Sequence, residues 1–132
     1  MDLVFGEDEM VARWAGERFG TVFSPPLRAL GVKEAGEIRG ALVFNDFNGA
    51  NIECSVVGDT ACWTAPVVSA AFRYAFDQCQ CVRLTLRTRR RNKLVRKLIP
   101  RLGFRFEGVA RRYYGDDDAL VFGMLKEECR FL

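Results

Sequence analysis

Hydrophobic and polar residues in the first half of the chain follow the pattern of one short helix and several strands. Residues 2–5 are typical of a short strand, and Glu7–Phe19 repeats apolar residues at helical spacing behind an acidic first turn. Ser24-Pro25-Pro26 then interrupts the chain. Three strand-like runs follow, at Leu27–Val32, Ile38–Phe47 and Ala50–Val57. Because Asn48-Gly49 is a hairpin signal between the last two runs, the pattern predicts an antiparallel meander.

The second half of the chain alternates between helices and strands. Thr64 and Pro66 are typical of a helix start, and that helix leads to a strand at Val82–Arg87. A second helix follows, and then two strands at Phe104–Ala110 and Ala119–Leu125. The predicted order is therefore strand, helix, three strands, helix, strand, helix and two strands, on a mixed sheet.

The second helix of this half is strongly amphipathic. Asn92 is predicted to cap it and Gly103 to end it. Its apolar residues are predicted to point inward, namely Leu94, Val95, Leu98, Ile99 and Leu102. Its basic residues, Lys93, Arg96, Lys97 and Arg101, are then predicted to point outward.

Length and composition predict one soluble domain over residues 1–132. Hydrophobic residues make up 49% of the chain, which is enough for a real core. The longest nearly uncharged stretch, Thr60–Phe72, is shorter than the roughly 20 apolar residues of a membrane span. The N-terminus is acidic where a signal peptide is basic. These features favour a cytoplasmic protein with no membrane partner.

The absence of histidine narrows the chemistry. Without it the chain cannot use Ser-His or Cys-His nucleophilic catalysis or a Cys/His zinc site. Five cysteines with no CxxC spacing do not suggest a metal site either. Proton transfer would fall to Glu, Asp, Lys, Tyr, Cys or water, and no metal is predicted.

Positive charge is concentrated in one segment. Residues 78–106 hold ten Lys and Arg and no acid, whereas the rest of the chain holds ten bases against seventeen acids. This asymmetry points to an anionic partner, phosphate above all, or to a solvated helix face that balances the acidic parts. Arg89-Arg90-Arg91 precede a helix N-terminus, which would reinforce phosphate binding.

One run carries a family resemblance. Residues 92–104, with Leu102-Gly103-Phe104 at the end, and then Glu107-Gly108 resemble the second conserved motif of the GNAT superfamily of N-acetyltransferases. The ending Asp118–Cys129 is similar to the last strand of the branch that acetylates ribosomal-protein N-termini, and Arg73–Phe76 resembles the end of its first core helix. The resemblance covers about residues 38–129 and looks closest to small GNAT-like proteins often encoded by phages.

The resemblance implies a fold class and a donor. The fold would be an α/β (α+β) GNAT fold, with a mixed, mostly antiparallel sheet of about six to seven strands, helices on both faces and splayed central strands. The donor would be acetyl-CoA, with its pantetheine arm against the strand at Ile52–Val57. Its pyrophosphate would lie at the helix after Trp63, at Thr64, with Arg90 and Asn92 nearby.

The resemblance also implies a reaction. An amine of a protein, peptide, small molecule or nucleobase would attack the thioester directly. A backbone N–H around Val56 or Val57 would hold the oxyanion. Glu53 would act as a general base through water, although its place on a strand is equally typical of a solvent-facing charge.

One segment and one residue depart from the family pattern. Gly58–Pro66 contains one glycine where most members have a glycine-rich phosphate loop. Ile99 stands where many members place the tyrosine that protonates the departing thiolate. That role would fall to Tyr114, with Tyr113 or Tyr74 as alternatives.

Other interpretations stay open at this point. Asn92 is also a simple helix cap, and Trp63 is also a packing residue. The chain could be a GNAT-fold binding module without turnover, or it could contact nucleic acid through the basic segment 83–105, although that segment lacks interleaved aromatic residues for base stacking. A homodimer formed by strand pairing also stays open.

Overall fold

One seven-stranded sheet with three helices accounts for most of the chain in a computed structural model, which describes residues 1–132 apart from the side chain of Thr60. The strands and helices are β1 (Asp2–Val4), α1 (Asp8–Phe19), β2 (Leu27–Glu34), β3 (Glu37–Asn45), β4 (Asn51–Gly58), α2 (Ala65–Arg73), β5 (Arg83–Arg89), α3 (Lys93–Arg101), β6 (Arg105–Ala110) and β7 (Ala119–Leu125). Short 3-10 turns follow β4 and β7, and a π-helical turn extends α2. The predicted order of elements is confirmed.

The sheet is mixed, and its strand order is β1-β2-β3-β4-β5-β7-β6. Among the described strands, β4 and β5 alone run parallel, and the remaining neighbours are antiparallel. The connection from β4 to β5 passes through α2, as a parallel pair requires. The predicted meander and the mostly antiparallel sheet are therefore confirmed.

The two central strands diverge at their carboxyl ends. The pairing of β4 with β5 ends at Ser55 and Arg87. Beyond that point β4 stays paired with β3 as far as Gly58, and β5 stays paired with β7 as far as Arg89. A cleft therefore opens in the middle of the sheet, which confirms the splayed strands that the resemblance implied.

Helices cover both faces of the sheet. On one face α2, the π-helical turn that extends it and α3 bury Phe72, Phe76 and Ile99 against the central strands in the larger core. On the other face α1 buries Val11 and Phe19 against β2, β3 and β4 in a smaller core. The alternation of side chains along each strand separates the two cores.

Both predicted helix caps can be compared with the structure. The Asn92 side chain accepts a hydrogen bond from the N–H of Val95 at 3.2 Å, so that cap is confirmed. Thr64 occupies the N-cap position of α2 and Pro66 lies in its first turn, but the Thr64 side chain makes no capping hydrogen bond. Thr64 is exposed, so α2 begins because of Pro66 and the buried Val67 rather than because of a side-chain cap.

The predicted inward face of α3 was wrong at one residue. Val95 and Ile99 are buried, whereas Leu94 is 66% exposed. Each helical residue is rotated by about 100° from the last, so Leu94 falls at the outer border of a stripe centred on Val95 and Ile99. None of the helices in the described chain combines the length and the apolar character that a membrane crossing needs.

Candidate functional site

The cleft between β4 and β5 opens onto a pocket of about 490 Å³ on the α1 face of the sheet. Its walls come from α1, the start of β3 and the diverging ends of β4 and β5. Val56, Val57 and Asn92, which the sequence analysis selected, all line it. On the opposite face, β4, β5, α2 and α3 enclose an apolar cavity of about 50 Å³ that Val56 and Trp63 line. The cleft therefore separates a polar pocket from an apolar cavity.

Gly58 shapes the mouth of the cleft. Its φ of +127° lies in the region that favours glycine. A Cβ at this position would lie 2.5 Å from the carbonyl oxygen of Arg39 and 2.5 Å from the Cα of Gly40. Both are backbone atoms of β3, so the end of β4 can approach β3 this closely only because residue 58 has no side chain.

Substituting Gly58 by alanine is expected to lower the free energy of unfolding by about 1–3 kcal/mol, because it combines backbone strain with a clash. Gly36→Ala is the matched control, since Gly36 has a φ of +79° but open space around its missing Cβ. That variant should lose only about 1 kcal/mol. Urea unfolding of both variants gives the comparison, and equal losses would contradict the role assigned to the close approach.

Three ion pairs cross the α1 face of the sheet beyond α1. They are Arg83–Glu107, Arg87–Glu53 and Arg89–Asp116, and together they form what we call the ion-pair ladder. All three arginines come from β5, because alternate residues of a strand point to one face and the intervening Leu84 and Leu86 enter the larger core.

The middle pair of the ladder lies beside the cleft. Glu53 accepts a hydrogen bond from Arg87, and its side chain is only 16% exposed. Arg87 also donates to the Tyr113 hydroxyl at 3.2 Å, and its guanidinium lies 4.8 Å from the centre of that ring. The Nε of Arg87 is buried and has no hydrogen-bond partner among the described residues. Glu53 is therefore an enclosed, paired carboxylate and not a solvent-facing charge.

Burial raises the pKa of Glu53 to about 7. The positive charge of Arg87 acts in the opposite direction, and a hydrogen bond with Asp46 adds to the increase. A carboxyl group with a pKa near neutrality can both accept and release a proton at physiological pH.

Tyr114 lies against α1. Its ring packs edge-on against Phe19 at 4.9 Å, and the Arg89 guanidinium lies 4.5 Å from the ring centre. Burial raises the pKa of the Tyr114 phenol, so the group keeps its proton at neutral pH. It is Tyr113, the neighbouring tyrosine, that shares Arg87 with Glu53. The sequence signal for both was only their place in the loop between β6 and β7.

The arginines before α3 are held by acids from the loop between β6 and β7. Arg89 pairs with Asp116 at 2.8 Å and donates to the carbonyl oxygen of Phe19 at 2.6 Å. Arg90 pairs with Asp118 at 3.1 Å. Arg91 pairs with Asp116 at 2.7 Å. The charge pattern predicted that these arginines are free for phosphate, but acids about 25 residues further along the chain pair with them.

The first turn of α2 offers few backbone donors. The N–H of Thr64 donates to Cys62 at 2.9 Å, and the N–H of Val68 donates to Thr64 at 3.0 Å. Pro66 has no N–H. Among the described residues this leaves the N–H groups of Ala65 and Val67 without an acceptor at the start of α2. A diphosphate would therefore find two amides there rather than a full loop of them.

Trp63 packs between the segment that joins β4 to α2 and the sheet. Its ring lies beside Gly40 and lines the apolar cavity. Its indole Nε1 is buried without a hydrogen-bond partner among the described residues. Within the same residues, no three His, Cys, Asp or Glu side chains come together as a metal site.

Comparisons with known proteins place the fold. No family model matches this sequence, and no curated protein matches it. Among solved structures, a T. thermophilus protein provisionally classed as an acetyltransferase has a TM-score of 0.65 at 23% identity, over 80% of this chain and 62% of that one. Mutant forms of the spermidine/spermine N-acetyltransferase SpeG from Vibrio cholerae have a TM-score of 0.62 at 16% identity, over 79% of this chain and 69% of theirs.

These likenesses show that the chain has the GNAT fold. Another structure provisionally classed as an acetyltransferase has a TM-score of 0.68 at 22% identity. The chain covers 80% of its own length in that match and spans 62% of the other protein.

Proposed function

We propose that this chain is an N-acetyltransferase that moves an acetyl group from acetyl-CoA to an amine. The cleft between β4 and β5 carries the proposal, because the two strands diverge after Ser55 and Arg87 and leave a polar pocket beside their ends. A thioester arm held along the diverging strands would face an amine that enters from this pocket. Such positioning is a large part of the rate gain in acyl transfer.

The proposed reaction is a direct attack. The acceptor nitrogen attacks the thioester carbonyl carbon and a C–N bond forms, while the C–S bond breaks and its electron pair leaves on sulfur. A backbone N–H of β4 at Val56 or Val57, beyond the last pair with β5, stabilises the negative charge on the carbonyl oxygen. Glu53 takes the proton of the attacking nitrogen through water, and the phenol of Tyr114 gives a proton to the thiolate.

Donor binding rests on the start of α2 and on Asn92. The free N–H groups of Ala65 and Val67, with the positive end of the α2 dipole, would hold the pyrophosphate next to Trp63 and Thr64. Asn92 lines the pocket beside the cleft. Arg90 would contribute by exchanging Asp118 for a phosphate oxygen of the donor.

The pocket carries charges of both signs. Glu37 and Asp59 line it without an ion pair among the described residues. Arg18, Arg39 and Arg89 line it as well. The guanidinium groups would bind an anionic group, while the two carboxylates would bind an ammonium group of the acceptor. The polyamine acceptor named for SpeG has this chemistry, and amines of proteins or peptides share it.

Thermal unfolding with acetyl-CoA tests the donor site. At about 100 times its dissociation constant a ligand stabilises the native state by about 2.7 kcal/mol, which raises Tm by several degrees. Asn92→Asp should reduce this shift, since it keeps a capping side chain but adds a negative charge where the donor phosphates approach. Asn92→Ser keeps the cap without the charge and is the matched control. Equal shifts for both variants would contradict the role of Asn92.

A binding module without turnover is the second candidate. The small number of free amides at the start of α2, with the negative charge of Asp59 at the mouth of the cleft, favours it. An enzyme predicts both a thermal shift with acetyl-CoA and the release of free thiol in the presence of amines. A module predicts no thiol release with any amine. No shift at millimolar acetyl-CoA would reject the donor site altogether.

A further inference from the structure

The ten basic residues of segment 78–106 fall into two groups. Six of them pair with carboxylates elsewhere in the fold, namely Arg83, Arg87, Arg89, Arg90, Arg91 and Arg105. The other four make no ion pair among the described residues, and all lie on α3. They are Lys93, Arg96, Lys97 and Arg101. The charge asymmetry of the sequence is therefore concentrated in one helix of the structure.

These four residues share one face of α3. At about 100° per residue they fall within a sector of roughly 140°, opposite the buried Val95 and Ile99. The helix contains no acid. Arg130 adds a fifth positive charge at its carboxyl end, where its guanidinium donates to the carbonyl oxygen of Arg101. We call this surface the α3 basic face.

We propose that the α3 basic face binds the phosphodiester backbone of nucleic acid without regard to sequence. From Lys93 to Arg101 the helix rises about 12 Å, which matches the axial rise of three to four nucleotides of a duplex strand. The face presents only Lys and Arg side chains, which suit phosphates. It carries no aromatic residue for stacking and no Asn or Gln for reading base edges.

Other anionic partners fit this surface less well. A membrane-binding helix pairs its basic face with a broad exposed apolar face, whereas α3 exposes one large apolar side chain, Leu94. A stable protein interface has an apolar centre, which the α3 basic face lacks. The donor site proposed above includes the pocket that Asn92 lines, and none of the four basic side chains of α3 lines that pocket, so we expect nucleic acid binding not to depend on acetyl-CoA.

Fluorescence anisotropy with a labelled random-sequence DNA duplex of about 20 base pairs tests the proposal. Four phosphate contacts predict a slope of about −3.6 for log affinity against log salt concentration, so affinity should fall about 100-fold between about 50 and about 200 mM salt. Substitution of Lys93, Arg96, Lys97 and Arg101 by Gln should weaken binding at low salt at least about 10-fold and flatten that slope.

A charge-matched variant distinguishes the effect of the α3 basic face on binding from the effect of the net charge of the protein. Substitution of Lys33, Arg73, Arg111 and Lys126 by Gln removes the same charge from residues that make no ion pair in the described structure and lie off α3. Retained binding in this variant, with loss in the α3 variant, supports the proposal. Equal loss in both would overturn it, because the attraction would then be a property of the whole molecule.

Two competitors complete the experiment. Polyglutamate at the same charge concentration should displace little of the duplex, and equal displacement would overturn the proposal in favour of an acidic protein partner. Saturating acetyl-CoA should leave the anisotropy unchanged, and full displacement would place the phosphates of the donor on this face instead. Circular dichroism of both variants checks that a loss of binding is not a loss of fold.

Discussion

Glu53→Gln is expected to lower kcat/KM for acetyl transfer by about 10²- to 10⁴-fold, the range that general base catalysis supplies. The amide keeps the size of the side chain and can still accept a hydrogen bond from Arg87, but it cannot take a proton. Binding of acetyl-CoA, measured by the thermal shift, should change little because Glu53 lies on the acceptor side of the cleft. The loss should therefore appear in turnover.

The pH profile gives the same variant a second measurement. Because the pKa of Glu53 is raised to about 7, the active carboxylate form accumulates as pH rises through 7, and the wild-type kcat/KM should rise with it. Below that pH the carboxyl group is protonated and inactive as a base. Glu53→Gln should lose this limb of the profile, while any dependence on ionisation of the acceptor amine stays.

Glu107→Gln is the control within the ion-pair ladder. It removes the same charge from a neighbouring pair, but the pKa of Glu107 is lowered by its hydrogen bond from Arg83. Glu107 is therefore ionised throughout the neutral range, and its substitution should leave the limb near pH 7 in place. If Glu53→Gln and Glu107→Gln have the same turnover and the same pH profile of kcat/KM, Glu53 is not the general base.

Phe76→Ala is expected to lower the free energy of unfolding by about 3–5 kcal/mol. Phe76 is fully buried, and its ring stacks with Phe72 at 6.2 Å between the sheet and the end of α2. Truncation removes apolar contacts and leaves a cavity that the surrounding strands cannot fill by small movements. Since domains of this size have about 5–15 kcal/mol in total, the variant should unfold about 10–20 °C earlier.

Phe106→Ala is the matched control for that loss. Phe106 lies on the outer strand β6. Its ring packs edge-on against that of Phe122 on β7, but the residue is 59% exposed. Its substitution should cost about 1 kcal/mol or less, because water already covers most of the ring. Similar losses for the two variants in chemical unfolding would mean that the larger core does not depend on Phe76 as the packing indicates.

The order of elements could be predicted because the signals that define it are local. Helical spacing in α1, the Asn48-Gly49 turn and the Asn92 cap each depend on residues a few positions apart. The splayed strands came from the family resemblance rather than from the pattern. Nothing in the local sequence states that β4 leaves β5 after Ser55, since that depends on how both strands pair with their other neighbours.

The candidate site was harder to predict because it depends on contacts between distant residues. Glu53 and Arg87 are 34 positions apart, and their pairing follows from the parallel register of β4 and β5. Arg90 similarly meets Asp118 only because β7 returns beside β5. A charge count over a segment records the arginines but not the acids that the fold brings to them. The Leu94 error has a local origin, since this residue falls at the outer border of the apolar stripe centred on Val95 and Ile99.

The ion-pair ladder gives the two parts of one sheet face different responses to heat. Under α1 the face is held by apolar burial, whose contribution levels off as temperature rises. Beyond α1 it is held by paired charges, and the cost of removing ions from water falls on heating. The share of the stability that the ladder contributes therefore grows with temperature. The strand β5 carries the three arginines of the ladder, so its attachment to the sheet depends more on ion pairs at high temperature than at low temperature.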